Sequence, residues 1–342
     1  MTTIVHLIDD TTAGGVMRVL EHLETDPTLG AFATHRIQTV ERGRFGAPAV
    51  EGADVIVSHL SVSWRALPML VALRARYAHL PVIHVEHSYT EAFTVQNVSR
   101  RGRFMALLRI AYSLFDKVVA VSEAQGEWLV ERGLVAAPAL RVIPSAVDVA
   151  PFAELRPVYT QPRTFGAIGR LDAQKGFDRL IDAFRATDRD DLRLRIIGDG
   201  PERESLEARA NGDSRISFTG FVFDAASAID ELDAIAMPSR WEAYGLVALE
   251  ARAAGRPLLV SPVDGLRDHA AAGATVVEDD SVADWTRAIT RLADSGPALH
   301  IAVARARKDA MQATERFAGA WAALVGELVA AEGKTHSASD AA

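Results

Sequence analysis

Two glutamates eight residues apart are the first candidates for chemistry. They lie in Pro238-Ser239-Arg240-Trp241-Glu242-Ala243-Tyr244-Gly245-Leu246-Val247-Ala248-Leu249-Glu250-Ala251, after an apolar run and opening an Ala/Leu-rich stretch. In one continuous helix Glu242 and Glu250 would stand about 80° apart around the axis and about 12 Å apart along it. Gly245 points instead to Glu242 in a loop, with the helix beginning near Tyr244–Leu246. The carboxylates would then flank a helix N-terminus, whose free N–H groups and positive dipole end attract phosphate. A carboxylate also accepts hydrogen bonds from paired sugar hydroxyls. Carboxylate, anion site, carboxylate is an order that suits a sugar–diphosphate–ribose ligand.

Other residue types point the same way. Arg170 and Lys175 follow a different apolar run, where a fork-shaped and a point cation can grip one diphosphate. Gly14 and Gly15 follow the first apolar run and would let backbone amides come close to a ligand. His84, Glu86 and His87 have metal-ligating types, but residues three apart on a strand point to opposite faces, so no zinc site is expected. Asp188-Arg189-Asp190, Asp9-Asp10 and Asp279-Asp280 read as solvated turns. Gly198 and Gly200 make only part of a dinucleotide fingerprint, and neither a nucleophile elbow nor a Walker A pattern is present.

These groups need a scaffold, and the sequence supplies one. Short Val- and Ile-rich runs alternate with helical patterns, as in a parallel sheet covered on both faces. Six strands are predicted near Thr3–Asp9, His35–Val40, Asp54–His59, Pro81–His87, Lys117–Ser122 and Arg141–Pro144. Six more follow near Thr164–Gly169, Leu192–Gly198, Ile216–Gly220, Ala234–Pro238, Pro257–Ser261 and Thr275–Glu278. Pro151–Pro162, with three prolines and no periodicity, reads as the linker. The expected organisation is α/β: a Rossmann-like domain over 1–155, a second over 156–330, and a disordered polar tail over 331–342. The last helical stretch, about Val303–Ala330, can pack back on the first domain. A ligand is expected in the cleft between the two, at the carboxyl ends of the strands.

At 342 residues two cores are expected, and 49% apolar with 24% charged residues is ordinary for a globular protein. Residues 1–160 carry 15 Lys and Arg against 16 Asp and Glu, and the remainder 22 against 29. That acidic balance excludes a broad nucleic-acid footprint. There is no cysteine, no signal-peptide pattern at Met1–His6 and no apolar run near the roughly 20 residues that cross a bilayer, so a cytoplasmic protein is expected.

The Glu242–Glu250 segment resembles the E-x7-E motif of glycosyltransferase family 4, retaining enzymes of the GT-B fold. Gly169-Arg170-Leu171…Lys175-Gly176, Gly198-Asp199-Gly200-Pro201 and Thr219-Gly220-Phe221-Val222 are similar to further motifs of that family, in the same order. Gly14-Gly15, His87, Val119–Glu123 and Ile143-Pro144…Val147-Asp148 match its N-terminal pattern. The resemblance implies two doubly wound domains facing each other across a cleft. It implies hexosyl transfer from a nucleotide diphosphate sugar to a hydroxyl acceptor, saccharide or lipid-linked, in polysaccharide or glycolipid assembly. It assigns the ribose to Glu250, and the donor sugar and diphosphate to Glu242 and the amides of Tyr244, Gly245 and Leu246. Phe221 and Val222 would frame the base, His87 would contact the donor sugar, and Arg170 with Lys175 would neutralise the leaving diphosphate without a metal or other cofactor. A nucleotide-sugar epimerase of the same fold, or a silent nucleotide-sugar binding module, is the alternative.

Three departures bear on acceptor geometry. Ser145-Ala146 replaces the usual Asn-Gly, Met17 stands where an acidic residue is common, and Pro262–Asp268 replaces a Gly-Gly-x-x-Glu loop, leaving Asp268 as the stand-in carboxylate. Residues 99–114 interleave Arg100, Arg101, Arg103 and Arg109 with Phe104, Met105, Leu107, Leu108, Ile110 and Leu114. That pattern fits a core-facing helix with a basic edge, and also a basic helix lying on the inner face of a membrane.

Overall fold

The computed structural model describes residues 1–12, 14–159 and 161–339, with side chains as far as Ala330. Six strands, β1 (Thr2–Ile8), β2 (Ala33–Thr39), β3 (Val55–Ser58), β4 (Val82–Glu86), β5 (Lys117–Ala120) and β6 (Leu140–Val142), form one sheet in the order β2-β1-β3-β4-β5-β6. Six more, β7 (Thr164–Ile168), β8 (Arg193–Ile197), β9 (Ile216–Gly220), β10 (Ala234–Met237), β11 (Leu258–Val260) and β12 (Thr275–Val276), form the other in the order β12-β11-β10-β7-β8-β9. Every pairing is parallel. Each predicted strand is present, its ends within two residues of expectation. The central strands β3, β4 and β10 are buried along their whole length, which is why they read as unbroken apolar runs rather than as alternation.

Both sheets change winding direction once, between β1 and β3 and between β7 and β10. Beside such a switch point the loops leaving the carboxyl ends of the two strands diverge and open a crevice. The loops concerned begin at Asp9 and at His59 in the first sheet, and are Gly169–Gly176 and Pro238–Gly245 in the second.

The chain divides into two compact units, Met1–Val147 with Thr314–Ala342, and Asp148–Ala313. The division differs from the boundary expected at 155. Val149 and Phe152 are buried, the Val158 N–H donates to the Gly255 carbonyl at 3.0 Å, and Arg256 donates to the Arg156 carbonyl at 2.6 Å. The proline-rich stretch is therefore anchored to the second unit. The final helical stretch is two helices, Ala298–Met311 and Ala313–Ser339. The first stays with the second unit, where Asp309 accepts from the buried Arg252 at 2.7 Å. The second buries Phe317, Trp321, Leu324, Val325 and Leu328 in the first unit, with the Trp321 ring 6.2 Å from that of His6. It runs on to Ser339 through most of the tail expected to be unstructured, since extending an existing helix costs little; 340–342 lie outside the described residues.

Candidate functional site

In the second unit the two switch-point loops are tied to each other by their own polar groups. The Arg240 N–H donates to the Gln174 carbonyl at 2.7 Å, and the Gln174 amide to the Trp241 carbonyl at 3.1 Å. The Arg240 guanidinium reaches the Ala173 carbonyl and the Asp178 carboxylate, both at 2.7 Å. Burial alone would push Asp178 up, but the hydrogen bond and charge of Arg240 bring it below its usual value. From beneath, Arg179 donates to the Pro238 carbonyl at 2.6 Å and pairs with Asp280 at 2.5 Å. Gly176 closes the first loop in the left-handed region at φ 65°, where a Cβ would lie 2.1 Å from the Pro238 carbonyl oxygen. Only glycine lets the loops approach so closely.

That clamp brings two of the predicted residues together. Lys175 Nζ lies 2.5 Å from Glu242 Oε2, with both side chains largely buried at 19% and 14% exposure. An ammonium has three donors, so Lys175 keeps others for a second anion. Arg170, also after β7 as expected, is 67% exposed and holds Asp172 at 2.5 Å. The two cations follow one strand end, but each holds its own carboxylate.

The helix after Glu242 begins at Leu246, with Gly245 as its N-cap at φ 90° and no side chain capping it. Glu242 therefore lies in the loop, as read from sequence. Tyr244 is buried, Leu246 and Val247 are partly exposed, and Glu250, one turn further, is 1% exposed. An uncapped helix end with a carboxylate before it and another one turn inside can receive an anion bearing hydroxyls on either side. Asp268 opens the short helix Asp268–Ala271, and its loop is tied to this segment by two hydrogen bonds. The Gly265 N–H donates to the Glu242 carbonyl at 3.0 Å, and His269 Nε2 donates to the Tyr244 carbonyl at 2.9 Å. Burial, and after it the Arg252 charge, pulls His269 down to about 3, so its ring is a neutral brace. No local pattern marks it, because a lone histidine on a short helix has no periodicity to stand out from.

Phe221 and Phe223 follow β9 at 60% and 95% exposure, ring centroids 4.9 Å apart, with Val222 half-buried between them. The loop is held by Gly198, whose N–H donates to the Gly220 carbonyl at 2.8 Å. At φ 139° a Cβ on Gly198 would lie 1.9 Å from the Gly169 carbonyl oxygen, so this glycine serves the close approach of two strand ends.

In the first unit Gly14 caps the helix Gly15–Thr25 in an extended conformation open to any residue. The space around it is open, its nearest neighbour for a Cβ being the Thr12 carbonyl oxygen at 3.8 Å. Ala13 lies outside the described residues. His87, half-buried beyond β4, has Nε2 2.8 Å from His59 Nδ1. Its pKa falls to about 4, burial outweighing the opposing charge of Glu86. His84 points elsewhere, stacked on Phe115 at 4.9 Å. Glu86 is buried and accepts from the Ser88 and Tyr89 amides at 2.7 and 2.9 Å and from the Tyr112 hydroxyl at 2.6 Å.

Among the carboxylate pairs expected in solvated turns, Asp188 and Asp190 are exposed. Asp280 is a correction. It accepts from Ser261 Oγ and Trp285 Nε1, both at 2.8 Å, besides holding Arg179. Trp285 is five residues on, but Ser261 and Arg179 come from distant segments, out of reach of a local reading. Residues 99–114 contain the helix Arg101–Tyr112, which buries Leu107, Leu108, Ala111 and Tyr112 and packs Phe104 and Met105 against the core. Ile110 stays 45% exposed beside the basic edge. No helix among the described residues is long and apolar enough to cross a membrane.

Comparison with known proteins gives these loops a family. Residues 34–151 match the model for "Glycosyltransferase Family 4", and residues 162–295 that for "Glycosyl transferases group 1". Phosphatidyl-myo-inositol mannosyltransferase of Mycobacterium leprae is 30% identical over 309 residues, 87% of this chain and 76% of that protein. Glycogen synthase of Mycobacterium tuberculosis is 29% identical over 238 residues, 66% of this chain; the match spans 56% of that relative's length. Among solved structures, Anabaena HepE in complex with UDP superposes with a TM-score of 0.74 at 17% identity, covering 96% of this chain and 100% of that one. Sucrose-phosphate synthase from Thermosynechococcus elongatus gives a TM-score of 0.74 at 20% identity, covering 97% and 100%. Two parallel six-stranded sheets, these matches and this identity over most of the chain establish that the protein belongs to glycosyltransferase family 4 and has the GT-B fold.

Proposed function

We propose that the protein is a nucleotide-sugar-dependent hexosyltransferase whose donor diphosphate is held at the end of β7 and β10. The observation that carries the reading is the Lys175–Glu242 pair at 2.5 Å beside an uncapped helix N-terminus, with Glu250 buried one turn further in. On this reading Glu250 takes the ribose hydroxyls, and Glu242 and the amides at Tyr244, Gly245 and Leu246 take the sugar and diphosphate. Phe221 and Val222 flank the base, and His87 contacts the donor sugar. Gly14, with open space around it, and Gly15 would offer backbone amides to the same ligand. Lys175, Arg170 and the helix amides stabilise the negative charge that grows on the departing diphosphate, which is where preorganised donors lower a barrier most. These cations belong to the chain, so transfer is expected to continue in a chelator. Retention at the anomeric carbon is part of the proposal.

The acceptor is proposed to be a hydroxyl of a saccharide or of a lipid-linked molecule in cell-surface polysaccharide or glycolipid assembly; the mycobacterial relative is named a phosphatidyl-myo-inositol mannosyltransferase. The apolar side of 99–114 is turned to the core, so attachment to the inner face of a membrane would rest on the charges of Arg100, Arg101 and Arg103. Binding to anionic vesicles that salt does not weaken, or no binding at all, would sink that part. The reading as a whole is tested with UDP-, GDP- and ADP-sugars, first by thermal shift and then by transfer to added acceptors. If Lys175→Ala and Glu250→Ala transferred sugar as fast as the parent protein, the site would be wrong.

A further inference from the structure

Four histidines on four neighbouring strands of the first sheet are joined ring to ring. His35 lies on β2, His6 on β1, His59 one residue past β3 and His87 one residue past β4. Register explains how residues so far apart in sequence meet. On β1, Ile4 pairs with His35, and His6 lies two residues further along. His6 pairs with Val57, and His59 lies two further along β3. Ser58 pairs with His84, which sets His59 beside Val85, and His87 is again two further along. A step of two keeps each ring on the same face of the sheet. The row climbs diagonally and ends at the carboxyl edge, where His87 emerges.

The links are all of one kind. His35 Nδ1 is 3.0 Å from His6 Nε2, His6 Nδ1 is 3.0 Å from His59 Nε2, and His59 Nδ1 is 2.8 Å from His87 Nε2. A neutral imidazole carries one N–H and one lone pair, and each link needs one of each. Because every link joins Nε2 to Nδ1, placing the proton on one ring places it on all four. Either all carry it at Nε2 or all carry it at Nδ1; any mixture sets two N–H groups or two lone pairs face to face. Burial keeps the rings neutral, bringing His6 to about 3, His35 to about 4 and His59 well below its ordinary value.

We propose that His59, backed by His6 and His35, is a positioning residue that fixes which nitrogen of His87 bears the proton, and so whether Nδ1 of His87 offers its ligand a donor or an acceptor. The proposal rests on the reading of His87 as a contact to the donor sugar. A single His87 would divide itself between two tautomers, and only one of them suits a given ligand atom. In the row that choice is made by three rings behind it.

The test is nitrogen-15 NMR of histidine-labelled protein together with transfer kinetics. Expected are four rings in one common tautomer, with imidazole protons that exchange slowly. Rings that average independently between tautomers would overturn the proposal. Asparagine places its amide near the Nδ1 position and glutamine near Nε2, so His59→Asn keeps a partner for His87, whereas His59→Gln keeps one for His6 only. Transfer should therefore fall by roughly tenfold or more in His59→Gln, the equivalent of one hydrogen bond, and be largely rescued in His59→Asn. His87 should also lose its fixed tautomer in His59→Gln alone. Equal kinetics in the two variants overturns the positioning role even where one folds less well, because the parent spectrum is read separately. If His87→Ala transfers normally while the common tautomer persists, it is the sugar-contact reading that has failed, and the proposed role falls with it.

Discussion

Lowering the pH from 7 to 5 should open the first unit before the second, and the size of the effect follows from where the histidines are buried. His6 is brought to about 3 by burial and the neighbouring His35, and His35 to about 4 by burial. In the second unit burial and then Arg252 bring His269 to about 3. Unfolded, each returns to about 6.5. The folded value is the lower one, so the folded state binds fewer protons; stability is complete above the unfolded pKa and declines as pH falls towards the folded pKa. Between pH 7 and 5 each such ring costs about 2 kcal/mol. The first unit thus loses about 4 kcal/mol through His6 and His35, with His59 acting in the same direction, and the second about 2 kcal/mol through His269. His87, half-buried, is left out of the sum. The lowered carboxylates, Glu86 among them, titrate mostly beneath this window. Total stabilities are typically roughly 5–15 kcal/mol, so a loss of this size is decisive. Urea unfolding at both pH values gives the magnitude, and hydrogen exchange by mass spectrometry assigns it to a unit. Equal stability at pH 7 and 5, or earlier exchange in β7–β10 than in β1–β3, would refute the reasoning.

Further expectations concern the site and its frame. Lys175→Ala should lower kcat/KM by roughly a hundredfold or more while circular dichroism is unchanged, since it removes a donor aimed at developing charge. Gly198→Ala drives a Cβ to within 1.9 Å of the Gly169 carbonyl oxygen at φ 139°, and should cost roughly 2 kcal/mol or more in the second unit, read as a lower Tm. Ending the chain at Ala313 removes Phe317, Trp321 and Leu324 from the first unit's core, so its product should be insoluble or unfolded by near-ultraviolet dichroism. Trp321→Ala alone should destabilise by about 3–5 kcal/mol in chemical unfolding.

The sequence by itself determined the twelve strands, their alternation with helices, the loops that bear Arg170, Lys175 and Glu242 and the helix that bears Glu250; the central strands, buried on both faces, write themselves as local apolar runs. It also determined that Gly245 ends a loop and opens a helix, a local backbone effect. What lies far apart in sequence was decided only by the tertiary structure. Lys175 meets Glu242 across 67 residues because β7 and β10 are neighbours, an order no local pattern encodes. His269 and Asp280 become braces because other segments bring carbonyls and cations to them. The return of the last helix to the first unit depends on which apolar surface is left uncovered for Trp321. The histidine row is the clearest case. His6, His35, His59 and His87 are unremarkable as residues in four separate runs, and only a strand register advancing two residues at each step sets them ring against ring.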